Sequence, residues 1–387
     1  MEAYLDNAAT TKVSTAVLEK MNQVYCLDFG NPSSMHRKGM EAEQYIKEAK
    51  KNISSILKCE PSEIIFTSGG TESNNMALIG TALANKRKGK HIITTRIEHA
   101  SVYEPLLFLE EMGFEVSFAP VDESGRVDIE SLVSLVREDT ILVSVMYVNN
   151  EIGCVEPIKE IANKVKEKNP NVLFHVDAIQ AFGKIKIQPA KEGIDLLSVS
   201  GHKIHGPKGS GFLYVKNKTK IRPILHGGGQ EKGMRSGTEN VPAIAGISEA
   251  SVKMYQNLEA NRNHLYELKE LLKEKLENIE GITINGIPKE GVRATAPHIL
   301  SASFRGIRSE VLLHALEEKG VYVSSGSACS SNHPDISGTL VAIGVKKELL
   351  DATLRFSFSV ETTKEEVEYA AECVAQLLPQ LRRFIRK

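Results

Sequence analysis

What the 387-residue chain lacks narrows the possibilities first. It has no excess of either charge: 48 basic and 49 acidic side chains leave a net charge of −1. Nothing in that balance calls for direct binding of nucleic acid or for an anionic membrane surface. It has no apolar run long enough to span a bilayer. Its first residues, MEAYLDNAATT, lack the basic stretch followed by an apolar one that marks a secretory signal. The five cysteines, Cys26, Cys59, Cys154, Cys329 and Cys373, are scattered, odd in number and form no CxxC. That argues against a disulfide framework or a zinc site and suits a reducing compartment. There is no GxxxxGK[ST] phosphate loop, no internal repeat and no low-complexity run. The expectation is a soluble, cytoplasmic protein.

What is present is a chain able to build a large core, with 41% hydrophobic and 25% charged residues. Its length suggests two domains. Apolar runs that read as strands (EIIFT, HIITT, FEVSFAP, ILVSVMYV, VLFHVD, LLSVS, GFLYV) alternate with helical stretches up to about residue 215. Repeated βα units imply an α/β fold whose mostly parallel sheet is flanked by helices. A long helical stretch follows, from about Ala243 to Ile279, and is expected to be interrupted. Beyond Gly281 the texture changes to short strands and helices, as in a smaller α+β domain. The expected division is 13–255 for the large domain and 1–12 with 256–387 for the small one. Residues 1–12 read as a short arm, and Ser14 as a candidate helix cap.

Candidate chemistry gathers at the expected strand ends. Asp177 closes VLFHVD, and Lys203 follows LLSVS in a Gly-flanked turn 26 residues later. Open α/β sheets bind ligands at the carboxyl ends of their strands. A Lys able to form a Schiff base, with an Asp for a pyridinium nitrogen, is what pyridoxal 5'-phosphate (PLP) chemistry needs. FTSGGTESNN places Gly69, Gly70 and Thr71 between a strand and a helix, where backbone amides and the helix dipole favour a phosphate. His99 lies in the next strand-to-helix loop, and Asn149, Asn150 and Glu151 end the strand after that. The Gly-rich loop His226–Pro242 offers Lys232, Arg235 and Thr238 as an anion clamp. Each site has a bland reading alone, as an N-cap, a solvated His or a surface loop. His202 and His205 are read as loop residues beside the cofactor, since no carboxylate or Cys nearby completes a metal set.

Taken together, these stretches resemble a known family. SGHKIHGPKG, with HVDAIQ upstream, is similar to the class V branch of fold-type I PLP enzymes. YLDNAATT, FGNPSS, FTSGGTESNN, VNNEIG, HGGGQEKGMRSGT and SSGSACSS resemble the NifS/IscS-like cysteine desulfurases over nearly the whole chain. The resemblance implies that Lys203 holds PLP and acts as base, that Asp177 pairs with the ring nitrogen, and that His99 stacks on the ring. It implies that Gln180 and Asn150 bond the ring oxygen or the substrate. Gly70, Thr71, Ser200 and His202 would hold the phosphate, with Thr238 reaching it from the partner subunit of a homodimer. Asn31, Asn150 and Arg355 would bind the substrate. Cys329, set among small polar residues, would be the nucleophile that takes sulfur from L-cysteine as a persulfide, leaving L-alanine. The sulfur would pass to an acceptor protein, an Fe–S scaffold or a tRNA-thiolation enzyme, with Cys329 as a transient Fe–S ligand in between. NHPDISGTLVAIG departs from the Leu-Glu-Pro-Ser pattern of the best-known members, which leaves the acceptor open. Competing readings are a selenocysteine lyase or other class V PLP aminotransferase, and a non-catalytic scaffold that binds partners or a cluster.

Overall fold

The computed structural model describes residues 1–325 and 336–385. Its centre is a seven-stranded sheet in the order Ile64–Thr67, Gly211–Val215, Leu196–Ser200, Leu173–Asp177, Thr140–Ser144, His91–Thr95, Glu115–Ala119. Gly211–Val215 runs antiparallel to both neighbours, and every other pairing in this sheet is parallel. The inner strands are covered on both faces, so they read as continuous apolar runs rather than alternating ones. Successive residues still part company: Leu142 and Leu196 join one core, while Val143 and Leu197 join the core on the opposite face. The chain steps outward from His91–Thr95 to Glu115–Ala119, then returns to the other side with Thr140–Ser144. This reversal opens a crevice at the carboxyl ends of the strands.

A second sheet is antiparallel, in the order Ser324–Ser325, Thr353–Ser357, Ile299–Phe304, Ile282–Asn285. It has a hydrophobic core of its own, built on Leu272, Leu276, Phe304, Leu312, Phe356 and Val374, with helices Leu258–Glu277, Ser309–Glu317 and Lys364–Ile385 supplying much of it. The mixed α/β architecture expected from the sequence is therefore present. Among the described residues no helix is long and apolar enough to cross a membrane.

Several elements differ from expectation. The short arm of the first twelve residues contains a strand. Ala3–Tyr4 is a strand paired in parallel with Val321–Tyr322, and Ala3 and Leu5 are buried in the second core. Two residues of strand are too few to register as a sequence pattern. Ser14 stands at the N-cap of Thr15–Cys26, but its hydroxyl makes no capping bond and is buried without a partner. VYVSS splits into two short strands belonging to different sheets, Val321–Tyr322 and Ser324–Ser325. The long helical stretch breaks at Asn257 into Val241–Gln256 and Leu258–Glu277. The helix after FTSGG begins at Gly70, earlier than its apolar residues indicate, because the polar TESNN forms its first turns.

Candidate active site

The crevice contains a cavity of about 160 Å³. Four successive strand ends supply its walls. His99 follows His91–Thr95, Met146 to Asn150 follow Thr140–Ser144, Asp177 closes its own strand, and Ser200, His202 and Lys203 follow Leu196–Ser200. Leu173–Asp177 and Leu196–Ser200 are neighbours, with Asp177 in register with Ser198. Residues distant in sequence thus reach one space because their strands are adjacent and parallel.

Asp177 is buried, and its carboxylate is held from behind. Oδ2 accepts from Asn74 Nδ2 at 2.8 Å, and Oδ1 accepts from the Ile179 amide at 3.0 Å. Burial pushes its pKa up, against the lowering effect of the Ile179 amide and of His99. A buried carboxylate favours a cationic partner, which restores its charged form. The same Asn74 amide group donates to Ser101 Oγ at 2.8 Å, and Ser101 Oγ lies 2.9 Å from His99 Nδ1. The Ser101 backbone N–H also donates to His99 Nδ1, at 3.1 Å. A backbone N–H can only donate, so Nδ1 is an acceptor and the neutral ring carries its proton on Nε2. Burial lowers the pKa of His99, which keeps it neutral.

The Lys203 amine donates to the carbonyls of Ala8 (2.6 Å) and Ala9 (2.7 Å). Its own carbonyl accepts from Lys184 Nζ at 2.7 Å. Lys184 is buried, and that burial drops its pKa to about 7. His202 borders the cavity with its pKa lowered to about 4, first by burial and then by Lys203. Arg355 is also buried. It donates to Asp6 Oδ1 at 2.9 Å and to the Asn150 carbonyl at 2.9 Å, while its Nε lacks a partner among the described residues.

A phosphate-sized recess lies where helix Gly70–Asn85 starts. Gly69 has φ 150° and ψ −173°, a conformation that side chains with a Cβ rarely adopt. A Cβ on Gly70 would stand 2.1 Å from Ile179 Cδ1 and 3.6 Å from Ser200 Cβ, so the missing side chain keeps this corner open. The first amides of an α-helix have no carbonyl within it to bond, and they attract anions. A buried carboxylate at one end, such amides at the other, and a lysine between fit PLP.

Most of the sequence-predicted site residues line this cavity: Gly70, Thr71, His99, Asn150, Asp177, Gln180, Ser200, His202, Lys203 and Arg355. Asn31 and Thr238 do not. Within one chain they are exposed and face a different cavity together, near Tyr25 and Asn240. Asn31 Oδ1 accepts from the Ser33 amide in a local turn. Cys329 lies outside the described residues. In the Gly-rich loop, Arg235 is engaged by Glu72 at 2.8 Å rather than held open for an anion. His205 contacts the Lys12 carbonyl and His202 the Thr10 hydroxyl, so both ring nitrogens recorded serve the N-terminal segment.

Sequence reasoning missed the Ala8 and Ala9 carbonyls, Asp6, Asn74, Ser101 and Lys184. The polar DNAATT in a short arm was the available signal for the first three positions. Backbone acceptors leave no side-chain signature.

The class V aminotransferase family model matches residues 3–370. A protein named cysteine desulfurase IscS from Dictyoglomus turgidum is 43% identical over 382 residues, covering 98% of this chain and 95% of its own. A solved structure described as a NifS-like protein superposes with a TM-score of 0.92 at 40% identity, covering 98% of this chain and all of its own. Another, described as SspA in complex with cysteine, gives a TM-score of 0.81 at 33% identity, over 93% of this chain and all of its own.

Proposed function

The chain belongs to the class V aminotransferase family, as a PLP-dependent cysteine desulfurase, and from that premise we propose how its residues divide the work. One observation carries the assignment of roles: Asp177 ends one strand, Lys203 follows the end of its neighbour, and both line one cavity together with Arg355 and a helix start. Asp177 would pair with the ring nitrogen of PLP. Thr71, Ser200, His202 and the Gly70 corner would hold its phosphate, and Lys203 would hold it covalently. Thr238, exposed in the single chain, is assigned to the partner's cofactor in a homodimer. When bound, PLP draws electrons from the substrate Cα and so makes its proton acidic and its sulfur open to attack.

The chain's own residues do the remaining work. Arg355 binds the substrate carboxylate, with its Nε as the unspent donor and Asp6 holding the guanidinium in place. Asn150 assists in binding, whereas Asn31 lines a different cavity of the chain and its part in binding rests on the family resemblance alone. Lys203 Nζ takes the Cα proton and later returns one to carbon. His99, a neutral ring with its proton on Nε2, lies beside the reacting atoms to pass a proton. Cys329 Sγ attacks the substrate sulfur: the S–S bond forms, the Cβ–S bond breaks, and the electron pair left on carbon is protonated to give alanine. Cys329 follows Ser325 by four residues, a length of chain that reaches at most about 14 Å. Ser324 pairs with Arg355, so the last described residues before Cys329 lie beside the substrate-binding arginine.

The sulfur then passes to an acceptor protein in the cytoplasm, an Fe–S scaffold or a tRNA-thiolation enzyme, with Cys329 as a transient cluster ligand in the first case. The two hydrophobic cores would act as two domains, 13–255 and 256–387 with residues 1–12. The deciding experiment compares parent and Cys329→Ala with L-cysteine. The variant is expected to keep the visible absorbance of bound PLP but to form neither alanine nor protein-bound persulfide. Full alanine release by the variant would overturn the role of Cys329 and favour the selenocysteine lyase or another class V reading.

A further inference from the structure

Behind the cavity, a buried histidine at the head of a second-sheet strand meets Gln180, which follows a strand of the central sheet. His298 sits just before strand Ile299–Phe304 and is 1% exposed. Its Nε2 lies 3.1 Å from Gln180 Oε1. Gln180 is itself 5% exposed and donates from Nε2 to the Ala8 carbonyl at 2.9 Å. That carbonyl is the one that also accepts from the Lys203 amine. The two bonds fix each other's sense. The Ala8 oxygen can only accept, so it must face the NH2 of Gln180, and the amide oxygen must then face His298. An amide oxygen also only accepts, so His298 Nε2 carries a proton.

The opposite nitrogen, His298 Nδ1, is buried and has no partner among the described residues. The charged groups facing this ring are Lys184, Lys269, Arg355 and Lys203, all cations, and together with burial they disfavour a second proton on it. His298 is therefore held as a neutral Nε2–H tautomer, a one-way donor. One N–H of Gln180 is spent on Ala8. The other remains for the cavity that Gln180 lines.

We propose that His298 is a positioning residue for the cofactor: by donating to Gln180 Oε1 it locks the amide so that Gln180 presents an N–H, and never its oxygen, to the ring oxygen of PLP. This rests on the reading of Gln180 as a cofactor contact. The physical effect is electrostatic. An N–H aimed at the ring oxygen stabilises negative charge there, whereas an amide oxygen in its place would repel it. The lock links the head of strand Ile299–Phe304 to the loop after Leu173–Asp177, so an element of the second sheet tunes the cofactor without touching it.

The test is a spectroscopic double-mutant cycle on the PLP-loaded protein with His298→Leu, Gln180→Leu and the double variant, plus His298→Gln, whose amide nitrogen reaches the place of Nε2. The readout is the pH midpoint of the bound cofactor's visible absorbance, measured without substrate. Loss of the donor raises that midpoint, because the ring oxygen then holds its charge less well. The expected shift is about 0.5 to 1 pH unit for His298→Leu, the size one hydrogen bond carries. His298→Gln should restore the parent value, and the double variant should match Gln180→Leu alone. Thermal unfolding of the cofactor-free variants separates this from simple loss of structure, which would not be rescued by His298→Gln. A shift in Gln180→Leu with none in His298→Leu, or additive shifts in the double variant, would overturn the positioning role alone. No shift in Gln180→Leu would overturn the placement of Gln180 against the cofactor, and the proposal with it.

Discussion

At the scale of single residues, the crevice is lined by groups that burial holds in their neutral forms. His99 and His202 are both depressed by burial, so the fixed positive charge facing a substrate comes from Arg355 and the helix start rather than from imidazolium. Glu98, next to His99 in sequence, is the acidic counterpart. Its Oε1 accepts from the Met146 amide at 2.9 Å and Thr95 Oγ1 at 2.8 Å, its Oε2 is buried without a partner, and burial raises its pKa to about 8. The unfolded chain loses this proton near the ordinary carboxyl value of 4.5, whereas the folded one keeps it to about 8. Between those values the folded state binds more protons, so stability falls as pH rises. Glu98→Gln removes this penalty. Its stability relative to the parent should climb between pH 4.5 and 8, by at most about 1.4 kcal/mol per pH unit, and then level off. Denaturant unfolding of both cofactor-free proteins at pH 5 and pH 8 measures it, and a gap that does not change with pH would contradict it. Asp177 and Lys203 were legible in the sequence because each follows an apolar run. Glu98 was not, because nothing local distinguishes a buried carboxyl from a loop acid in RIEHAS.

At the scale of elements, the helix starting at Gly70 and the loop carrying Ile179 meet where a side chain is missing. Gly70→Ala would place a methyl group 2.1 Å from Ile179 Cδ1. Ile179 can yield only by turning its flexible end, and it lines the cavity. Alanine is preferred over glycine within a helix by about 1 kcal/mol, which offsets part of the strain, so overall stability should change by less than about 1 kcal/mol. PLP affinity should fall about tenfold, the equivalent of about 1.4 kcal/mol of overpacking. Equilibrium titration with PLP beside thermal unfolding tests both parts; lost stability with intact affinity would place the effect in the fold instead. Most strands and helices were readable from apolar runs and turn residues. The exceptions share a cause. Ala3–Tyr4, Val321–Tyr322 and Ser324–Ser325 are two residues each, and what makes them strands is a partner distant in sequence, Val321–Tyr322 for the first and Leu354–Arg355 for the last, not their own composition.

At the scale of the whole molecule, the N-terminal segment ties the two cores to the cavity. Asp6 holds Arg355, Ala8 and Ala9 receive Lys203, the Asn7 side chain donates to the Ser357 carbonyl at 3.1 Å, and Thr11 N donates to the His202 carbonyl at 2.9 Å. Asp6→Ala leaves the buried Arg355 with one partner fewer, and a lost buried charge partner costs several kcal/mol where the charge cannot reach water. Under steady-state kinetics the variant should raise KM for cysteine by about tenfold or more, with a smaller drop in kcat, because the guanidinium loses its aim rather than its charge. An unchanged KM would mean that the Asn150 carbonyl suffices to hold Arg355. The same segment also carries a consequence for synthesis. Asn7 lies 350 residues from the Ser357 carbonyl that anchors it. Residues 3–11 thus find their places only after strands near Val321 and Ser357 have emerged from the ribosome. Until then Ala8 and Ala9 are unanchored and the Lys203 amine lacks its two acceptors. A nascent chain can build the seven-stranded sheet once Val215 has emerged, but the cavity waits for Arg355 and Ser357, which delays cofactor capture until they follow.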